Sequence, residues 1–126
     1  MPLLYPTPSQ GFPMALTESE FEGMAEALLR RLAEAVEAAE AEGVDVELQG
    51  AVLNIEVEGQ EGRRGGTFVV SKHAPTRQIW LSSPISGASH YAYDGQAWRS
   101  TRDDAELLSR LAAELDQAAG IALDVA

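Results

Sequence analysis

The chain has 126 residues, 45% of them hydrophobic and 23% charged, with a net charge of −11 and no cysteine. That length suits one domain with a two-layer core. The missing thiols exclude disulfides, thiol catalysis and thiolate metal sites, and an acidic field of this size repels phosphate backbones, which argues against nucleic acid as a partner. The charge is also unevenly placed. Residues 1–50 carry ten carboxylates against only Arg30 and Arg31, so any electrostatic attraction for cations is concentrated in the first fifty residues of the chain. No run of eighteen apolar residues occurs that would span a membrane.

Met1 to Ala15 holds four prolines and neither Arg nor Lys. It resembles neither a secretory nor a mitochondrial presequence and reads as a flexible tail, residues 1–15, ahead of a domain covering 16–126. Thr17 then offers an N-cap, with Glu20 three residues on to close a capping box and Leu16 set against Phe21 as a hydrophobic staple. Phe21, Met24, Ala25, Leu28, Leu32, Ala35, Val36 and Ala39 keep helical spacing, and Gly43 is the expected stop. Along the side of this helix Glu22, Glu26, Glu37 and Glu40 fall within roughly 60° of one another at 100° per residue. Glu26 and Arg30 also stand at i,i+4, the spacing of a helix-surface ion pair.

After Gly43 the period changes from helical to alternating. Val44, Val46 and Leu48 alternate with Asp45, Glu47 and Gln49; Gly50-Ala51 makes a turn; Leu53, Ile55 and Val57 alternate with polar residues. Gly59 to Gly66 reads as a loop, Thr67 to His73 as a third strand and Arg77 to Ser83 as a fourth. Strands over Ser89–Asp94 and Ala97–Ser100 follow. A second amphipathic helix carries Leu107, Leu108, Leu111, Leu115 and Ala118, with Asp103 as its expected cap and Gly120 as its stop. The apolar tail Ile121 to Val125 is expected to lie back on the domain. Each helix has one apolar stripe and the first hairpin one apolar face. The economical arrangement is α+β: a two-layer sandwich with both helices on one face of a twisted antiparallel sheet of five to seven strands.

That arrangement leaves a sheet face open, and Trp80 is the residue it bears on. In the fourth strand Ile79 and Leu81 share one face while Gln78, Trp80 and Ser82 share the other. Trp80 is then either an exposed binding residue or, if both sheet faces are covered, part of the core. Trp98 is assigned to structure. The carboxylates of the first helix, with Asp45 and Glu47 from the next strand, form an oxygen-only set suited to hard cations such as Fe²⁺, Fe³⁺, Mn²⁺ or Ca²⁺, or else a solvated face. His73 and His90 lie in neither a Glu-x-x-His nor a nucleophile-elbow context and read as surface histidines.

The segment Gln78-Ile79-Trp80-Leu81-Ser82-Ser83-Pro84, followed by Ser86-Gly87, resembles the frataxin family. Lys72-His73-Ala74-Pro75 before it, Tyr91 to Trp98 after it and the helix Leu107 to Leu115 extend the likeness from about Leu16 to Leu123. The resemblance implies an iron-binding protein of iron–sulfur cluster assembly. Such a protein acts as iron donor, regulator or both on the cysteine desulfurase and its scaffold protein. Carried over by position, the iron ridge is Glu18, Glu22, Glu26, Glu34, Glu37, Asp45 and Glu47, holding Fe²⁺ or Fe³⁺ weakly at the surface. The partner-binding face is Ser71, Gln78 and Trp80, with His90 where members carry a basic residue. Arg30, Arg31 and Ala38 stand where relatives are often acidic, and Ser71 replaces a common asparagine.

A chain without cysteine cannot hold a nascent cluster through thiolates, so delivery, sensing or regulation is expected rather than scaffolding. Two alternatives use the same carboxylates: a ferroxidase that detoxifies iron, or an acidic interaction module with no metal. The expected location is the bacterial cytoplasm, with the mitochondrial matrix as the alternative. The expected state is a monomer, with iron-dependent oligomerisation as its alternative.

Overall fold

The computed structural model describes residues 16–60 and 62–123. The expected tail over residues 1–15 lies outside the described residues, as do Asp124 and Val125 of the C-terminal segment. Helix α1 spans Glu18–Ala39, and its N-terminus is fixed as the sequence suggests: Thr17 accepts from the Glu20 N–H while the Glu20 side chain accepts from the Thr17 N–H. The helix stops at Ala39, short of the expected Gly43. Glu40 takes the left-handed conformation at φ 49° and donates its N–H to the Glu37 carbonyl, so the chain has already left the helix before the glycine. Gly43, at φ 74°, then aligns the first strand, its carbonyl accepting from the Glu58 N–H at 2.7 Å.

Six strands follow in a simple antiparallel meander: β1 Val44–Gln49, β2 Val52–Val57, β3 Gly66–His73, β4 Gln78–Ser83, β5 Gly87–Tyr93 and β6 Trp98–Ser100. Neighbours in sequence are neighbours in the sheet, because every connection is short enough for a hairpin and none needs a crossover. Between β2 and β3 the loop folds back on itself at Gly65. A Cβ there would lie 2.5 Å from the Gly59 nitrogen and 2.9 Å from the Val57 carbonyl, and φ is 73°, so only glycine fits. Helix α2, Leu107–Ala119, closes the fold. Its cap is Glu106, not the expected Asp103: the Glu106 carboxylate accepts from the N–H groups of Leu108 and Ser109. Asp103 instead accepts from the Ala105 N–H and pairs with Arg110.

The core lies between the helices and one sheet face. Phe21, Leu29, Leu32, Ile55, Phe68, Val70, Ile79, Leu81, Tyr91, Leu111 and Leu115 are each at most 1% exposed. Burying such a side chain stabilises the fold by about 1.5–3 kcal/mol relative to leaving it in water. Trp98 belongs to this core, edge-on to Phe21 at 6.1 Å. Ile121 is buried and Leu123 packs against the same cluster, so the described part of the C-terminal segment does lie back on the domain. The opposite sheet face carries Asn54, Val69, Ser71, Gln78, Trp80 and His90, none of them buried.

Candidate functional site

The open sheet face is organised by strand register. Ser71 of β3 stands opposite Trp80 of β4, and Trp80 opposite His90 of β5, which sets three side chains in one row across the sheet. His73 stands opposite Gln78 at the end of the β3–β4 hairpin. The result is a three-ring stack: the Trp80 indole lies 3.7 Å from the His73 imidazole at 14° between planes, and 4.3 Å from the His90 imidazole at 16°. Trp80 is therefore neither a core residue nor a bare one. It is half-buried, with an imidazole stacked against each face.

A chain of hydrogen bonds fixes the stack in the plane of the sheet. The Trp80 Nε1–H can only donate, and it donates to Gln78 Oε1 at 3.2 Å. The Thr76 hydroxyl donates to the same oxygen at 3.2 Å. With its proton committed there, Thr76 Oγ1 accepts from His73 Nδ1 at 2.8 Å. This assigns the neutral His73 the Nδ1–H tautomer and leaves Nε2 as its acceptor. The turn that makes this possible is a short 3₁₀ segment, Ala74–Thr76, ended by Arg77 at φ 52°. Arg77 then donates to the Leu16 carbonyl at 2.8 Å, tying the hairpin tip to the start of α1. His73 and Thr76 were not legible as site residues from composition. The signal that could have found them is the hairpin register, since Ser71 and His73 alternate onto the face that Gln78 and Trp80 share.

The acidic ridge is distributed rather than gathered. Glu18, Glu34 and Glu37 are exposed on α1. Glu40, grouped with them by helical angle, is the left-handed cap and so leaves the helix line. Asp45 and Glu47 are exposed on the edge strand β1, Asp45 opposite Glu56 and Glu47 opposite Asn54. Glu22 and Glu26 are brought together by Lys72, which the sequence offers only as part of the family motif and not as a site residue. Lys72 alternates inward between Ser71 and His73, and its ammonium pairs with Glu22 and, at 3.4 Å, with Glu26. The bond from Glu22 holds the Lys72 ammonium above its ordinary pKa. Among the described residues Glu26 therefore finds its cation on the sheet beneath α1 and not at Arg30 on its own helix. No group of three or more potential metal ligands converges among the described residues. Separate carboxylates of this kind can take a hydrated hard cation through one or two oxygens at a time.

Behind the motif that follows Trp80 sits a buried carboxylate. Glu114 of α2 is 9% exposed and accepts from the hydroxyls of Ser83 at 2.6 Å and Ser86 at 3.1 Å. Ser83 Oγ in turn accepts from the N–H groups of Ile85 and Ser86, so the β4–β5 turn is pinned to the helix.

A two-layer α+β sandwich with a carboxylate-lined first helix and an aromatic stack on its uncovered sheet face defines a narrow class of small proteins. A family profile described as "Frataxin-like domain" matches residues 14–121. The chain is similar to the iron-sulfur cluster assembly protein CyaY of Dechloromonas aromatica, 37% identical over 109 residues that cover 86% of this chain and 97% of the relative. Its structure is similar to frataxin from Psychromonas ingrahamii, with a TM-score of 0.75 and 25% identity over 88% of this chain and 99% of that one. It is also similar to trimeric frataxin of the yeast Saccharomyces cerevisiae complexed with ferrous iron, with a TM-score of 0.63 and 30% identity over 85% and 89% of the two chains. The chain belongs to the frataxin family.

Proposed function

We propose that this protein serves iron–sulfur cluster assembly in the bacterial cytoplasm, presenting the open sheet face to the cysteine desulfurase and scaffold protein and carrying ferrous iron as cargo on the acidic ridge. The observation that carries the proposal is the His73–Trp80–His90 stack, a rigid aromatic platform held by register on a face that neither helix covers. Aromatic anchors surrounded by small polar groups are typical of docking surfaces, because they bury area at little cost in side-chain entropy. Ser71 and Gln78 supply the polar rim beside Trp80. The family relation to a protein named for iron–sulfur cluster assembly supports the same reading, and the ferrous complex of a family member supports iron as the cargo. Glu18, Glu22, Glu26, Glu34, Glu37, Asp45 and Glu47 are the proposed iron ligands.

The test is desulfurase activity of the purified assembly complex with and without this protein, and with and without Fe²⁺. Activity should change on adding the protein, and Trp80→Ala, folded, should lose most of that change. An Fe²⁺-independent effect would retain the regulatory half of the proposal and remove the donor half. Oxygen uptake in the presence of Fe²⁺ should proceed no faster than with free iron; faster uptake would favour the ferroxidase alternative.

A further inference from the structure

The geometry points to Lys72 as a built-in competitor for the cation position between Glu22 and Glu26, so that only a cation able to displace an ammonium gains that part of the ridge. The inference deepens the proposed iron-carrying role and rests on it. Glu22 and Glu26 stand one helical turn apart on α1, and a single positive centre already bonds both: the Lys72 ammonium contacts Glu22 and lies 3.4 Å from Glu26. The two carboxylates are thus aimed at a common point, and that point is filled by the protein's own charge.

Three features make the ammonium a strong competitor. The Lys72 backbone is fixed in the middle of the sheet, opposite Ile79 and with its N–H donating to the Ala51 carbonyl at 3.0 Å, so only the four-carbon stem moves. The side chain is 15% exposed, lying along the inner face of β3 under α1. And the competition is intramolecular, so dilution does not weaken it. A monovalent cation offers the two carboxylates no more charge than the ammonium does. A divalent cation offers twice the charge to the same pair, which is the difference that lets it displace the lysine. Lys72 is then a specificity-determining residue for the ridge, and its removal exposes a two-carboxylate position that the wild-type protein keeps occupied.

The test uses Mn²⁺, a hard divalent cation whose paramagnetism broadens nearby amide signals, titrated into the full chain at fixed ionic strength. Lys72→Met keeps the stem volume and should tighten Mn²⁺ binding by roughly five- to tenfold, with broadening centred on Glu22 and Glu26, the size expected from freeing a partly exposed ion pair. Lys72→Arg keeps a cation and should stay close to wild type. Arg64→Met makes the same change in net charge away from the ridge and should also stay close to wild type. Equal tightening by Lys72→Met and Arg64→Met would overturn the inference, since overall charge would then explain it. Mn²⁺ that broadens Glu34 and Glu37 but leaves Glu22 and Glu26 sharp in Lys72→Met would overturn it while leaving iron carriage intact. Broadening that favours no part of residues 18–47 in any of the proteins would remove the ridge as a cation site, and the competitor with it. Should Lys72→Met fail to fold, Lys72→Gln carries the same expectation.

Discussion

Glu114 shows how much a single buried carboxylate can organise. Its oxygen accepts from two serine hydroxyls of the β4–β5 turn, and hydrogen bonds to a charged acceptor are worth about 1.5–3 kcal/mol each way they are removed. Glu114→Ala should therefore lower the unfolding free energy in urea by about 2–3 kcal/mol. Glu114→Gln keeps an acceptor oxygen and should lose less than half of that. Asp103 acts through charge. The Arg110 guanidinium bonded to it, together with the Ala105 N–H, lowers its pKa from 3.8 to about 2. A carboxyl depressed in the folded state contributes stability that is complete above the unfolded value and is lost as pH falls through the folded one. Thermal midpoints should thus decline between about pH 4 and pH 2, and Asp103→Asn should flatten that part of the profile. Neither role was legible in the sequence. Glu114 stands 31 residues from Ser83, and Asp103 looked like a cap because a cap and an ion-pair partner use the same side chain in the same place.

At the scale of elements, local chemistry was the better guide. The capping box at Thr17 was readable because both of its partners lie within four residues of each other. Thr17→Ala should cost about 1 kcal/mol in chemical denaturation, with the loss confined to stability and the desulfurase effect unchanged. The alternation in β1 and β2 was readable for the same reason, each strand stating its own inner and outer face. What the elements did not state was their exact ends. Helix α1 stops at the left-handed Glu40 and not at the glycine beyond it, and α2 takes its cap from Glu106 because Asp103 is already held by Arg110. In both places a bond local to the helix, from the Glu40 N–H to the Glu37 carbonyl and from the Leu108 and Ser109 N–H groups to the Glu106 carboxylate, marks which of two competent residues bounds it.

For the molecule as a whole, the net charge of −11 is the dominant long-range property. Ten carboxylates in the first fifty residues, eight of them on α1 and β1, repel one another, and the repulsion weakens as the Debye length shrinks from about 30 Å at 0.01 M salt to about 3 Å at 1 M. Raising NaCl from 10 mM to 0.5 M should therefore raise the thermal midpoint, by roughly 3–6 °C if screening recovers about 1 kcal/mol. A midpoint that falls with salt would mean that the Lys72, Arg99 and Arg110 ion pairs outweigh the repulsion.

The sequence by itself determined the two amphipathic helices and the meander between them, because these follow from periodicities carried by neighbouring residues, while for Trp80 it left an outward and a core placement open. It also placed the candidate carboxylates on one helix and the strand after it. Only the tertiary structure decided what surrounds them. The stacking of His73 and His90 on Trp80 depends on the register of three strands, and the capture of Glu22 and Glu26 by Lys72 depends on α1 crossing β3 at one height. Those contacts join residues up to 50 positions apart, and no local pattern records which side chains a packed sheet and helix will bring face to face.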